Sequence, residues 1–492
     1  MWGLIAEIGF LGLDYAYHRW IETPPPPPPP ARYLTVPRVD AGAPYALIYG
    51  RCRVRAPVIA WAGNADVSGG GAAPYVYSLD QFIVLGFPFL NGTGNIHGMW
   101  AGDVSWPFGT GTGTLASPIS VSSNRKVDAT RFSGGQLEFL SGSSTQQLVD
   151  PGTFAATTWA ATKMIFAGLG GTAIPGYRYK ACVTLFGDAT VSWLLDLGTQ
   201  VPAYSFETSS FPASPLGPAD RIDAGDGLNC DANPIDVLYD LLTVQVARLG
   251  LPTSRIDLVS FKAAATTLAS EGHGFSRSFE GGSPATELIQ EILRQIDATL
   301  YEDPTDGLVK IKLVRADYDP TTIPKISPAN CKQLDNVQIG GWTNIPNKVR
   351  IKFLNRQDSY KDGSASAQNQ ANASGQDGQT REIQLSMPGV CTQALAGKLA
   401  SRELGARSAP SIKCSAIVDR SFYATVPGDV VSLSWPEYGI SGVVMRVANV
   451  SRGTLANGAI KLDLLQDFFY VWRYQPPKAI AMPPVKQVGT AH

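Results

Sequence analysis

Period-two alternation in the last third of the chain is the feature that most constrains its fold. Val349, Ile351 and Phe353 alternate with Lys348, Arg350 and Lys352, so an extended backbone puts three apolar side chains on one face and three cations on the other. Ile460, Leu462 and Leu464 repeat the pattern after Asn457-Gly458, a pair suited to a two-residue hairpin turn. Between them, residues 392–407 read as a helix, and VPGDVVSLSW, residues 426–435, ends in another apolar strand. Residues 346–470 are therefore expected to form a β-rich domain with one helix and tight turns.

The chain has 492 residues, too many for one core, so several domains are expected. Lys and Arg number 40 against 41 for Asp and Glu, a net charge of −1. No global basic field is available to hold nucleic acid by charge alone. Charged residues make up 16%, below the roughly 25% usual for soluble domains. Together with 50 Gly, 36 Pro, 18 Tyr, 19 Phe and 10 Trp, this suits turn-rich β-structure that buries surface against other subunits. The six cysteines (Cys52, Cys182, Cys230, Cys331, Cys391 and Cys414) are scattered without a C-x-x-C pair, and read as reduced, buried, small hydrophobes.

Residues 1–22 are strongly apolar at Trp2, Leu4, Ile5, Ile8, Phe10, Leu11 and Leu13, but Glu7 and Asp14 interrupt the run. Without a basic segment before it or a small-residue cleavage site after it, the reading is an amphipathic docking arm, not a signal peptide or membrane span. Seven consecutive prolines, residues 24–30, then form a stiff spacer of roughly 20 Å.

Residues 46–61 read as two short strands joined at a bend, broken by Gly50 and Pro57. Residues 62–73 read as a flexible loop, and 107–220 only as β-rich. Asn233 is a good N-cap before Pro234, opening a helix that Gly250 and Pro252 should end; Ser283 and Pro284 open a second helix with Leu288, Ile289, Ile292, Ile296 and Leu300 on one stripe. An Asp306-Gly307 hairpin follows. Residues 358–380 are almost wholly polar and read as a mobile surface loop, and residues 475–492, with four prolines, as an extended tail.

Catalytic signatures are weak. Neither G-x-S-x-G nor H-E-x-x-H occurs, and His97 and His273 read as loop histidines. Asp223, Asp226, Asn229 and Asp231 crowd one loop with Gly225 and Gly227, which invites a calcium reading; the spacing is not that of an EF-hand, and ordinary turn chemistry accounts for it. Residues 109–114, GTGTGT, lack the lysine and helix of a phosphate loop. Arg51, Arg53 and Arg55 alternate on one strand, as on a solvated or interfacial face. No catalytic, cofactor or metal residue is assigned, and no enzymatic activity is expected.

The order of these segments resembles the hub proteins of long-tailed, siphophage-type bacteriophage tail tips: P-N-K-V-R-I at 346–351, a polar loop, A-x-x-L-A-x-R-x-L at 396–404, P-G-D-V-V, V-x-R-V at 444–447 and G-x-I-x-L at 458–462. The stretches Y-G-R-C-R-V at 49–54 and N-P-I-D-V-L-Y-D-L-L-T at 233–243 also resemble that family, although Arg55 and Pro57 stand where many relatives carry glycine. The resemblance implies a mainly β protein with α+β parts, having two tail-tube-like β-barrel hub domains and a small α/β domain. The corresponding divisions are an arm and spacer at 1–30, a first barrel with a β-rich insertion at 31–220, an α/β domain at 221–325, a second barrel at 326–474 and a tail at 475–492.

The function so implied is structural: a trimeric baseplate hub in the virion, assembled in the host cytoplasm, that joins a hexameric tail tube to a threefold tip and closes the channel. It would take part in host attachment and genome ejection. Implied partners are the tail tube or distal tail ring protein, the tape-measure protein and receptor-binding or fibre subunits, with membrane contact only during infection. As the chain ends about twenty residues after its last strand, receptor recognition is expected in another subunit. The alternative is an extracellular β-rich carbohydrate-binding or carbohydrate-cleaving protein.

Overall fold

The computed structural model describes residues 45–70, 73–87, 95–102, 104–106, 108, 119–121, 135–140, 181–186, 193–194, 203–212, 215–217, 221–244, 248–280, 284–341, 345–376, 378–453 and 458–471. The amphipathic arm, the proline spacer and the tail expected at 475–492 lie outside them. Strand predominates among the described residues taken together. The chain divides into one unit of residues 1–45, 55–87 and 96–206 and another of 46–54, 88–95 and 207–492.

In the first unit, the strands Val58–Gly70, Ala73–Gly86, Ala181–Phe186, Gly135–Leu140 and Ile119–Val121 are neighbours in that order, and Trp193–Leu194 also pairs with Ala73–Gly86. Ile83, Val84, Cys182 and Val183 are fully buried in this sheet. The loop expected at 62–73 is instead the meeting of two long antiparallel strands, paired from Val58 with Val84 out to Gly70 with Ala73. Its small residues lower strand propensity, but long-range pairing decides the backbone.

The second unit begins with β1 (Leu47–Val54), β2 (Arg221–Ile222), β3 (Asp231–Ala232), α1 (Pro234–Thr243), α2 (Leu258–Glu271), β4 (Arg277–Phe279), α3 (Ala285–Ile296), β5 (Ala298–Glu302) and β6 (Val309–Leu313). It continues with β7 (Lys325–Ile326), β8 (Cys331–Ile339), β9 (Lys348–Asn355), β10 (Lys361–Gln368), α4 (Gln370–Gly375), β11 (Glu382–Ser386) and α5 (Gln393–Arg407). The last elements are β12 (Ile412–Val418), β13 (Val430–Trp435), β14 (Ile440–Arg452), β15 (Ile460–Gln466) and α6 (Phe468–Val471). β1 pairs antiparallel with β4, Leu47 opposite Phe279, although sequence order groups it with the segments at 31–220.

Asn233 caps α1 as expected, its side chain accepting from Ile235 N at 3.1 Å with Pro234 at the first helical position. The helix ends at Val244, short of Gly250, because the returning chain takes its last carbonyls: Leu249 N and Leu251 N donate to Leu241 O and Leu242 O. α2 was not anticipated, although Asp257 caps it and Gly272 closes it. α3 starts after Pro284, with residue 283 outside the described residues, and ends at Asp297 in the left-handed region. Leu300 therefore belongs to β5, not to the helical stripe. β5 and β6 form the hairpin expected at Asp306-Gly307.

The region expected as one barrel, 326–474, holds two sheets with separate cores. In the first, β9 lies between β10, antiparallel, and β11, parallel. Val349, Ile351 and Phe353 face Leu395, Ala396, Leu399 and Ala400 of α5, and Thr392 caps that helix through Leu395 N. The mobile loop expected at 358–380 is thus corrected: β10 and α4 occupy it, with Tyr360, Ala365 and Ala373 buried. Its polar residues are the outer face of a paired strand, which composition alone does not separate from a loop.

The second sheet has the order β7-β13-β14-β15-β12-β8, around Ile326, Leu334, Ala416, Val418, Leu433, Met445 and Leu462. β7 and β8 stand at opposite ends of that order, yet only residues 327–330 separate them. The five Cα–Cα steps from Ile326 to Cys331 span at most about 18 Å, less than the roughly 24 Å between the edges of a flat six-stranded sheet, so the sheet curls. All six cysteines are buried thiols.

Candidate functional site: a buried arginine cluster

Among the described residues the densest buried polar chemistry surrounds Arg356. It follows β9 in a short turn that Asn355 opens by accepting from Gln357 N. The turn closes through Ser359 and Tyr360, both at positive φ, 53° and 60°, an uncommon conformation for non-glycine residues. This backbone sends the guanidinium and the Tyr360 ring inward, where both are buried.

Arg356 Nη1 donates to Asp226 Oδ2 at 2.6 Å, and Nη2 to Asp231 Oδ1 at 2.5 Å. Nη2 also reaches Ser276 Oγ at 3.1 Å, and that hydroxyl donates to Asp231 Oδ1 at 2.5 Å. Ser276 Oγ accepts from Arg51 N at 3.2 Å. The Arg51 side chain donates through Nε to Glu207 Oε1 at 2.7 Å, and Tyr360 Oη donates to the same oxygen at 2.8 Å. Segments from β1, the strand Tyr204–Ser210, the 223–231 loop, β4 and the β9–β10 turn thus meet in one network.

Its electrostatics are those of a clamp. Burial alone would lower the Arg356 pKa, but the charge and hydrogen bonds of Asp231 more than offset it and the guanidinium stays protonated. Burial pushes the Cys230 and Cys391 thiols up to about 12, and the Tyr360 hydroxyl is raised well above its ordinary value chiefly by burial, then by Glu207. Protonated thiols are poor nucleophiles at neutral pH.

Of the loop that invited a calcium reading, Asp223 Oδ1 accepts from the backbone N–H groups of Gly225, Asp226 and Gly227 at 2.8 to 3.0 Å. These bonds, that from Gly225 foremost, hold its carboxyl below the usual range. Asn229 takes a positive φ of 47°. Ligand atoms of Asp226, Cys230 and Asp231 lie within 4.8 Å of one another, but both carboxylates already pair with Arg356, which a cation would have to displace.

His273 lies in a loop, as expected, but a buried one. It follows the Gly272 cap of α2, is 3% exposed, and its Nε2 has no hydrogen-bond partner. His97 lies on the strand Asn95–Ala101. Of the alternating arginines, Arg51 enters the cluster, Arg53 donates to Ser359 O at 3.2 Å and Arg55 is exposed. Sequence reasoning missed Arg356, Glu207, Ser276 and Tyr360; the visible signal was the acidic loop, whose partner lies 125 residues away.

Residues 284–450 match the model of a family described as putative phage tail protein. Over 94% of its length the chain resembles a chain of the virion of a native gene transfer agent particle, covering 95% of that chain with a TM-score of 0.55 at 15% identity. That likeness is one of fold. Weaker likenesses are to the tail protein from Neisseria meningitidis MC58 (TM-score 0.33, 11% identity, 86% of this chain and 97% of that one), and to the 43 kDa tail protein of prophage MuSo2 from Shewanella oneidensis (0.29, 13%, 88% and 96%). No curated protein matches. The resemblance to phage tail proteins read from the sequence is borne out over residues 284–450.

Proposed function

We propose that the chain is a structural, non-enzymatic hub of a phage-type tail tip or baseplate, acting as a homotrimer that joins a sixfold tail tube to a threefold tip. The observation that carries this reading is the match of residues 284–450 to phage tail proteins. The curled six-stranded sheet supports a barrel within 326–474, and sheet-rich residues at 31–220 support a second, with 221–325 as the α/β part between them. Residues 1–30 would then dock on a neighbour and 475–492 extend away. Three chains carrying two similar barrels each would present six tube-like surfaces, close the channel before infection and open it for DNA delivery. Neighbours would be the tail tube or distal ring, the tape-measure protein and receptor-binding subunits, in a virion assembled in the host cytoplasm.

The test is the stoichiometry of the chain purified together with its tail neighbours, by light scattering and particle imaging. Three copies in a threefold particle are expected; a stable monomer that binds no tail protein overturns the reading.

A further inference from the structure

The second unit carries a cleft of about 630 Å³ among α3, the end of α5, β12 and β15. Its apolar lining includes Ile345, Ile383, Leu465 and Phe468, and Leu465 is 40% exposed. Three cations line it: Arg294, Arg407 and Lys413. The two lining carboxylates, Asp297 and Glu403, are already matched by guanidiniums: Arg402 Nε is 2.8 Å from Asp297 and Arg407 Nε is 3.1 Å from Glu403. Arg294 and Lys413 are both exposed, which leaves the lining with cationic excess beside its apolar side chains.

We infer that this cleft receives a short apolar peptide segment carrying a carboxylate, supplied by another protein. Apolar side chains on the segment would cover Leu465 and Phe468, removing surface from water. A carboxylate on it would meet Lys413 and Arg294, and such charge matching fixes orientation and excludes wrong partners. The inference does not depend on the tail reading, since it rests on lining chemistry alone.

The probes are two fluorescent hexapeptides of identical apolar residues, one bearing two glutamates and the other two lysines, titrated onto the full chain. The acidic probe is expected to bind, and Lys413→Glu to weaken it about tenfold or more while improving the lysine probe. Leu465→Ala, at an exposed position, should weaken both. Equal binding of the two probes, or indifference of the acidic probe to Lys413→Glu in a variant with unchanged circular dichroism, overturns the inference. So does displacement of the acidic probe by a synthetic peptide of residues 472–492, which would assign the cleft to the chain's own terminus, or loss of probe binding in step with dimer formation, which would assign it to a second copy.

Discussion

The hydroxyl of Tyr360 donates to Glu207 Oε1 at 2.8 Å across 153 residues of sequence, and Arg51 donates to the same oxygen at 2.7 Å. One carboxylate oxygen thereby holds the β9–β10 turn against β1. Tyr360→Phe removes one of two donors while leaving the ring in place. A loss of about 0.5–1.5 kcal/mol is expected, read from the urea midpoint at unchanged slope.

Replacing Arg356 is expected to cost far more. Arg356→Met leaves Asp226 and Asp231, both almost fully buried, without their cation, and breaking a buried pair from one side typically costs about 3–5 kcal/mol. Arg356→Met combined with Asp226→Asn and Asp231→Asn should recover part of that loss. If the single variant unfolds at the wild-type urea concentration, the cluster is not a structural clamp.

Gly50 lies in β1 at φ +64°, and a Cβ there would stand 2.2 Å from Ser276 Oγ and 2.6 Å from Phe275 O. Gly50→Ala adds backbone strain of about 1–3 kcal/mol to a clash with the Ser276 hydroxyl and the Phe275 carbonyl. The expected outcome is a lower thermal midpoint than for Gly442→Ala, where φ is also positive, +63°, but no atom lies within 4 Å. Equal effects at the two glycines would exclude the close approach to Ser276.

His273 makes the stability of the second unit depend on pH. Burial first, and then the charges of Arg402, Arg315 and Lys398, hold its pKa well below the ordinary 6.5. The folded state thus keeps the ring neutral while the unfolded chain protonates it. Its contribution is fully present above about pH 6.5 and falls away as pH drops toward the folded-state pKa, by at most about 1.4 kcal/mol per pH unit. Urea midpoints between pH 7.5 and 5 should fall less steeply for His273→Gln than for the parent protein.

Deleting residues 361–375 removes β10 and α4. Loss of cooperative unfolding is expected, because β9 then lacks its antiparallel partner from Lys348 to Asn355 and the core under α5 opens at Ala365. A deletion variant with native circular dichroism and an unchanged denaturation midpoint would contradict the pairing.

What the sequence made legible was local. The alternation at 348–353, the caps Asn233 and Thr392 and the turn at Asp306-Gly307 each act within a few residues, and each is where the pattern put it. The strands at 62–70 and 361–368 were hidden because small and polar residues fit loops and outer strand faces alike, and only a distant partner chooses between them. The cluster was hidden for the same reason: Arg356 is unremarkable until Asp226, Asp231 and Ser276 arrive beside it. The acidic loop showed that oxygens were gathered there, not what they were gathered for.

In the six-stranded sheet, β15 is last in the chain but lies between β14 and β12. The order of synthesis is therefore at odds with the order of assembly: the ribosome releases both flanks before it makes the strand that joins them. Until Ile460, Leu462 and Leu464 emerge, β12 and β14 each present an open edge to the surroundings, and such edges invite pairing with other chains. A message cut short before residue 460 would yield two half-sheets with nothing between them, so completion of the sheet waits on this one late strand.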